Sequence, residues 1–148
     1  DRKKDLIITA GGKNVAPQRI ERILRSSRFV SQAVVFGDRR KFLTALVAVQ
    51  PDAIVEWARA RAIPFEDAAE LPQRREVKEL LEREVALANE QLASFEQIKK
   101  FDILPRELTI DAGELTPTLK VKRKVVAEKY AAVVDQLYQE AAQASLEP

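Results

Sequence analysis

Two lysines, Lys120 and Lys122, are the residues in this sequence best suited to chemistry on an anion. They follow Thr116-Pro117-Thr118 in a segment that the pattern predicts to be an exposed loop before the last helix. A lysine ammonium is a flexible point charge that can reach into a neighbouring site and neutralise oxyanions. Cations are disfavoured at the start of a helix by its dipole, so the placement favours a functional reason over a merely solvated basic run.

Two glycines and two carboxylates are the other candidates. Gly11 and Gly12 follow a short β-branched run and predict a tight turn whose backbone could approach a ligand closely. A plain hairpin turn is the alternative, because the chain has no phosphate loop of the Gly-Lys-Ser/Thr type. Asp111 and Glu114 flank Gly113 in the late loop. Nothing in the sequence makes them an acid–base pair, so we interpret them as turn residues.

The composition excludes several kinds of site. The 148 residues include no Cys and no His, so they cannot build a Cys/His zinc site, thiol chemistry or histidine acid–base chemistry. With 46% hydrophobic and 32% charged residues they predict one soluble globular domain, and no apolar run approaches the roughly 20 residues of a membrane span. The absence of Cys fits a reducing compartment. Because the chain begins at Asp1 and contains no Met, we expect it to be part of a longer protein.

Basic residues cluster near both ends of the chain. The net charge is +2, from 25 basic and 23 acidic residues, with basic runs at residues 1–5 (DRKKD) and 120–124 (KVKRK). Two such clusters could converge on one polyanionic ligand, or they could be two solvated segments that never meet. Charge alone favours the second interpretation.

Hydrophobic periodicity predicts the secondary structure. Residues 6–9 form a predicted strand, Pro17 fits the first turn of a helix, and residues 30–36 and 42–49 predict two strands of an antiparallel hairpin. The second of these strands is almost continuously apolar, so we expect helices to cover the sheet. The order β, α, ββ, α, α, β, α predicts an α+β fold. It comprises a small mixed or antiparallel sheet with an N-terminal hairpin-like loop, covered by helices, in a single compact domain. The remaining predicted elements are helices at 51–63, 77–92 and 126–141, a strand at 98–104, and loops at 64–72 and 109–119.

Two motifs resemble those of a known family. Residues 1–21, DRKKDLIITAGGKNVAPQRIE, are similar to the hinge motif and following loop of adenylate-forming enzymes. Residues 115–123, LTPTLKVKR, are similar to the late lysine motif of that family in its long-chain form. The chain therefore resembles the C-terminal domain of a long-chain fatty-acid–CoA ligase over essentially its whole length. The resemblance implies that residues 1–148 are a mobile lid, and that a large N-terminal domain outside this chain binds ATP and the fatty acid.

The resemblance also implies a two-step reaction. A fatty acid and ATP with Mg2+ give an acyl-adenylate and pyrophosphate, and coenzyme A then attacks to give the thioester and AMP. The small domain rotates against the large one between the steps, which makes the N-terminal domain its partner. No nucleic acid partner is expected for such a ligase. We predict a cytoplasmic location, with peripheral association with a membrane left open, and no activity from this fragment alone.

Roles for individual residues follow from the first motif. By position, Arg2 corresponds to an arginine that contacts the nucleotide ribose, and Lys4 corresponds to the hinge residue of the rotation. Gly12, with Gly11 before it, corresponds to the glycine loop that enters the site for thioester formation. A side chain there would obstruct the path of the pantetheine. Glu21 closes the motif, and we interpret it as structural.

The adenylation lysine is assigned by alignment of the second motif. Many relatives have a Gly-Lys pair here, and aligning Leu115 and Thr118 places Lys122 at the lysine and Val121 at the glycine. Lys120, two residues earlier, is the alternative. The implied role is electrostatic, because an ammonium can bridge the substrate carboxylate and the α-phosphate as charge develops during attack.

The sequence also allows two other functions. A free-standing basic module could bind nucleic acid through residues 120–124. Against this, aromatic residues make up only 6% of the chain and most fall in apolar segments, whereas a stacking platform needs exposed rings. A related ligase could instead transfer the acyl group to the phosphopantetheine of a carrier protein.

Overall fold

A computed structural model describes the backbone of residues 5–146 and the side chains of residues 5–141. The fold is α+β, as predicted, with a two-stranded hairpin, a three-stranded sheet and helices packed on that sheet. The strands and helices, in chain order, are β1 Ile7–Ile8, β2 Asn14–Val15, α1 Pro17–Arg25, β3 Val30–Phe36, β4 Leu43–Val49, α2 Pro51–Ala60, α3 Arg75–Asn89, β5 Ile98–Ile103, α4 Arg123–Lys129 and α5 Ala131–Leu146. Short 3-10 helices cover Ala68–Gln73 and Ser94–Glu96.

The three-stranded sheet forms the centre of the domain. β3 and β4 pair antiparallel, as predicted, and β5 pairs in parallel with the other edge of β4. All seven residues of β4 are buried, so both faces of this central strand are covered. A strand buried on both faces needs apolar side chains almost throughout, which explains its sequence, LTALVAV.

Side chains of the sheet alternate between two hydrophobic cores, because successive residues of a strand point to opposite faces. Val35 and Val47 pack in the core that contains α1, α2 and α3. Val34 and Leu46 pack in the core that contains α4 and α5. Both helical layers therefore depend on the same pair of strands, β3 and β4.

Proline begins two of the helices at the positions that the sequence indicates. α1 starts at Pro17 and α2 starts at Pro51. Proline suits the first turn because its φ is already helical and its missing N–H has no partner there. α1 buries Ile20, Glu21 and Leu24, so one face of this helix packs on the sheet.

The N-terminal hairpin of β1 and β2 lies against the turn between β3 and β4. Ile8 N–H donates to the Asp38 carboxylate at 3.1 Å, and Arg39 N–H donates to the Ile8 carbonyl oxygen at 2.8 Å. The turn of the hairpin contains Gly12, whose φ of 82° lies in the left-handed region that glycine adopts without strain. The predicted strand and tight turn are both present.

The last helix differs from the prediction. The sequence predicts one helix over residues 126–141, but the structure has two, α4 and α5, separated at Tyr130. Tyr130 leaves the helical region, with φ −110° and ψ 21°, and α5 packs on β4 and β5 beyond it. Neither Pro nor Gly marks the break, so the apolar periodicity continues through it.

The link between α2 and α3 contains more structure than predicted. The sequence predicts a polar loop over residues 64–72, whereas a 3-10 helix covers Ala68–Gln73. Asp67 caps this helix by accepting from Ala69 N–H at 3.0 Å, and Leu71 anchors it in the core with 1% of its surface exposed. A single buried leucine among polar residues carries too little periodicity to predict the element.

Truncation of Leu81 tests the packing of α3. Leu81→Ala should lower the free energy of unfolding by about 2–5 kcal/mol, because its side chain is fully buried and the deletion leaves a cavity. Leu87 lies on the same helix but is 56% exposed, so Leu87→Ala should change this free energy by less than about 0.5 kcal/mol. Urea unfolding measures both values. Equal losses in the two variants would contradict the orientation of α3.

Candidate active-site loops

Residues 115–122 form a tight turn that we call the lysine hairpin. Leu115 and Val121 pair as an isolated antiparallel bridge, and Thr116 N–H donates to the Lys120 carbonyl oxygen at 2.8 Å. The Thr116 hydroxyl oxygen accepts from Lys120 N–H at 3.0 Å. Thr116 therefore closes the turn, and Lys120 lies at its outgoing end.

Leu119 has an unusual backbone conformation beside Lys120. Its φ is 67°, in the left-handed region, and 66% of the residue is exposed. This conformation costs a residue with a Cβ atom roughly 1–2 kcal/mol, and an exposed leucine gains no burial in return. Between residues 5 and 146, Arg39 and Ala62 are the other non-glycine residues with positive φ. Strained backbone of this kind is concentrated at functional sites.

The two candidate lysines differ in their surroundings. Both are exposed, and neither forms an ion pair with another residue whose side chain the structure describes. Lys120 borders a groove of about 1010 Å³ between α1 and the segment 107–121. Lys122 does not border that groove; it immediately precedes α4, where its N–H donates to the Glu114 carbonyl oxygen at 2.8 Å.

The glycine loop is exposed at the end of the N-terminal hairpin. Gly12 N–H donates to the Thr9 carbonyl oxygen at 2.9 Å, and a Cβ atom placed on Gly12 would meet no atom within 4 Å. Within this domain the position therefore favours glycine for its backbone conformation and not for lack of space. Neither Gly11 nor Gly12 borders the groove at Lys120, so the structure does not bring the two candidate loops into one cavity.

A buried ion pair joins the helix after the glycine loop to the residue after the lysine hairpin. Glu21 on α1 is 4% exposed, and its two carboxylate oxygens accept from the Arg123 guanidinium at 2.5 and 3.0 Å. Glu21 also accepts from Val35 N–H on β3 at 2.8 Å. Asp5 lies 4.0 Å from the same guanidinium. The structural interpretation of Glu21 agrees with this geometry, and Asp5, from the first basic run, lies beside Arg123 of the second.

Glu114 has a larger part in the structure than a turn residue. Its side chain is fully buried and accepts from Lys129 Nζ at 2.7 Å, Thr109 N–H at 3.0 Å and Arg106 at 3.3 Å. Burial is the largest influence on the pKa of Glu114 and raises it, but the bonds from Lys129 and Thr109 and the charge of Arg106 together hold it below its usual value. No local sequence pattern predicts this role, because Lys129 is 15 residues away from Glu114.

Arg2 and Lys4 lie outside the described residues. Between residues 5 and 141 no group of three or more acidic side chains could hold a metal ion. No helix in the described chain combines the length and apolar character needed to cross a membrane.

Curated relatives of similar sequence include a ligase. The long-chain-fatty-acid–CoA ligase FadD15 of Mycobacterium tuberculosis is 44% identical over 138 residues, which cover 93% of this chain and 23% of the relative. The chain therefore spans about a quarter of the length of that curated relative.

Solved structures share the fold. The adenylation domain of a carboxylate reductase from Mycobacterium chelonae matches with a TM-score of 0.75 at 25% identity, covering 94% of this chain and 20% of that one. The A domain of a carboxylic acid reductase from Segniliparus rugosus, in complex with AMP and a co-purified carboxylic acid, matches with a TM-score of 0.73 at 26% identity. That match covers 95% of this chain and 21% of the reductase domain.

The family comparison covers nearly all of the chain. The model of the AMP-binding enzyme C-terminal domain matches residues 4–142, a range that includes the glycine loop, the Glu21–Arg123 pair and the lysine hairpin. The chain belongs to the AMP-binding enzyme C-terminal domain family.

Proposed function

We propose that this chain is the mobile C-terminal domain of a long-chain fatty-acid–CoA ligase, preceded in the full-length enzyme by a large N-terminal domain. The family match over residues 4–142 and the 44% identity to a long-chain-fatty-acid–CoA ligase support this reaction class. The observation that carries the proposal is the lysine hairpin. It presents an exposed ammonium, without an ion pair among the described side chains, on a turn held by backbone hydrogen bonds.

The proposed reaction has two half-reactions on one site. A carboxylate oxygen of the fatty acid attacks the α-phosphorus of ATP, and pyrophosphate leaves with the electrons of the broken bond. The sulfur of coenzyme A then attacks the acyl carbon, and AMP leaves. Mg2+ accompanies ATP as part of the substrate in the proposed reaction, and we assign its binding to the N-terminal domain. Product analysis with coenzyme A and with a carrier protein as acceptors distinguishes the ligase from its carrier-dependent alternative.

The backbone of the lysine hairpin favours Lys120 over Lys122 as the adenylation lysine. Relatives that have a Gly-Lys pair place glycine before the lysine, and glycine is preferred where φ is positive. Leu119 has that conformation directly before Lys120, whereas Val121 does not have a positive φ. Lys120 also borders the large groove. We therefore propose Lys120 first and Lys122 second, the reverse of the order given by alignment of Leu115 and Thr118.

The proposed role of the lysine is electrostatic. Negative charge is concentrated between the attacking carboxylate and the α-phosphate during adenylation, and one ammonium can contact both. A charge held in position before the reaction needs no reorganisation when the transition state forms. The ammonium is the ordinary charged form of lysine, so this role requires no proton transfer.

The Glu21–Arg123 pair supports a single rigid body that carries both loops. Arg123 follows the lysine hairpin, and Glu21 follows the glycine loop on α1, so the bidentate contact between them holds the two motifs in a fixed relation. If such a body rotates against a second domain, the lysine hairpin can face the reacting atoms in one orientation and the glycine loop in the other. This arrangement fits a domain that serves two half-reactions in turn.

Binding of nucleic acid has little support in the structure. Among the aromatic residues with described side chains, Phe95 is exposed, at 39%, and the others are at least partly buried. Phe95 lies near Lys13, 5.5 Å from its ammonium, and not in the lysine hairpin. A basic groove without exposed rings offers bases nothing to stack on.

The isolated chain should fold but should not form acyl-CoA from fatty acid, ATP and coenzyme A. Its cores are built from its own residues, whereas its sequence contains no phosphate loop of the Gly-Lys-Ser/Thr type. Circular dichroism measures the folding, and chromatography of the products measures the reaction. Turnover by the isolated chain would contradict the assignment of ATP and fatty-acid binding to another domain.

Substitution of the two lysines separates their roles in the full-length enzyme. Lys120→Ala should slow adenylation about 100- to 1,000-fold, because it removes a preorganised charge from the transition state. Thioester formation from preformed acyl-adenylate should be retained. Pyrophosphate exchange measures the first half-reaction, and acyl transfer from the adenylate measures the second.

Lys122→Ala is the matched control for Lys120→Ala, with the same change of charge two residues away, and it should leave adenylation nearly unchanged. Loss in Lys122→Ala alone would support the sequence alignment and refute the argument from the backbone. Unchanged adenylation in both variants would remove the catalytic role of the hairpin.

Gly12→Leu should impair thioester formation more than adenylation in the full-length enzyme. Within this domain a side chain at Gly12 meets open space, so a steric effect of the leucine must come from a ligand or another domain that approaches the loop. Gly12→Ala is the control, because alanine pays the same cost of positive φ with little added bulk. Equal thioester rates in the two variants, or equal losses in both half-reactions, would mean that backbone strain alone explains the effect.

A further inference from the structure

The lysine hairpin needs an external anchor to keep its shape. At its tip Leu119 is in a left-handed conformation and is mostly exposed, so its own side chain contributes little packing that could offset the strain. A strained residue persists only where the surrounding structure fixes the backbone on both sides of it. The hydrogen bonds of Thr116 close the turn but do not attach it to the rest of the domain.

Leu115, the first residue of the hairpin, is 6% exposed and packs in the core that contains α4 and α5, and Glu114 fixes the backbone beside it. Its carboxylate accepts from Thr109 N–H at 3.0 Å, and its own N–H donates to the Thr109 carbonyl oxygen at 3.1 Å. Its carbonyl oxygen accepts from Lys122 N–H at 2.8 Å, across the base of the hairpin. One residue thus connects both strands of the hairpin to the preceding loop.

Lys129 connects the same carboxylate to α4, the helix that follows the hairpin. Its ammonium lies 2.7 Å from Glu114 Oε2, while Arg106, half exposed, lies 3.3 Å from Oε1. Glu114 is fully buried, whereas the side chains of Lys129 and Arg106 are 38% and 50% exposed, so both cations reach the carboxylate from the surface. Compared with apolar residues such a pair adds little net stability, and we take its role here to be the fixing of one geometry. The buried carboxylate is therefore better explained by the position of the hairpin than by the stability of the fold.

We infer that Glu114 and Lys129 are a positioning pair for the adenylation lysine. The pair holds the base of the lysine hairpin so that Lys120 is presented to the reacting carboxylate and α-phosphate without a search among loop conformations. The inference rests on the proposed function, and it adds two residues, neither of which touches a substrate. Their effect on the reaction is exerted through the lysine.

Glu114→Gln in the full-length ligase tests the pair. The amide keeps the size of the side chain but removes the charge that binds Lys129. Adenylation measured by pyrophosphate exchange should fall about 10- to 100-fold, since misplacement of a catalytic group by about 1 Å has an effect of this size. The fall should be in kcat, with KM for ATP and fatty acid unchanged and with acyl transfer from preformed adenylate retained.

Lys129→Met should reproduce the defect, and Lys129→Arg should restore much of the rate because it keeps the cation. Glu84→Gln is the control for the change of carboxylate to amide. Glu84 lies on α3, away from the hairpin, and accepts from the Ser27 hydroxyl at 2.5 Å. Glu84→Gln should therefore leave both half-reactions unchanged.

A double variant distinguishes positioning from a general effect on folding. If Glu114 acts through Lys120, Glu114→Gln should cause no further loss of adenylation in a Lys120→Ala background. Two outcomes would overturn the inference. In the first, the fold-losses of adenylation in Glu114→Gln and Lys120→Ala multiply in the double variant. In the second, Glu114→Gln slows both half-reactions equally. Should Lys122 prove to be the required lysine, the same comparison is made in a Lys122→Ala background.

The single-lysine variants keep the two proposals apart. Failure of the proposed function appears as normal adenylation in both Lys120→Ala and Lys122→Ala, and the inference about Glu114 falls with it. Failure of the inference alone appears as a large loss in one lysine variant together with normal adenylation in Glu114→Gln.

Discussion

The contact between the Glu21 carboxylate and the Arg123 guanidinium is the interaction on which the arrangement of both loops depends. Glu21 lies on a helix of one core, and Arg123 begins a helix of the other, so the pair joins the two helical layers. Glu21 also accepts from the backbone of Val35, which fixes the pair to the central sheet. Removing one partner of a buried ion pair typically costs about 3–5 kcal/mol, because the other charge is left without compensation.

Together the two buried carboxylates hold the lysine hairpin from both sides. Glu114 comes immediately before the hairpin and Arg123, the partner of Glu21, comes immediately after it. Between these two points the chain is free to adopt an exposed turn with a strained leucine at its tip, since the strain is offset outside the turn. The surface of the domain can therefore carry a cation on a fixed turn without burying it.

The sequence predicts the elements well and the long-range contacts poorly. Pro17 and Pro51 mark helix starts through local chemistry, and the apolar run of β4 shows that both its faces are covered. The parallel pairing of β5 and the break at Tyr130 leave no local signal, because each is decided by packing between distant segments. The same reason applies to Glu114, whose residue type suits a turn and whose partners lie on α4 and in the loop before the hairpin. Of the two lysines, alignment alone selects Lys122, whereas the conformation of Leu119 favours Lys120.

The parallel pairing of β4 with β5 has a consequence for how the chain is synthesised. β3 and β4 are adjacent in sequence and can form their hairpin as soon as both have left the ribosome. The other edge of β4 stays unpaired until α2, α3 and β5 have been synthesised, which takes more than fifty further residues. During that interval the most apolar strand of the protein presents an open edge, which is the feature that makes partly made chains prone to aggregate.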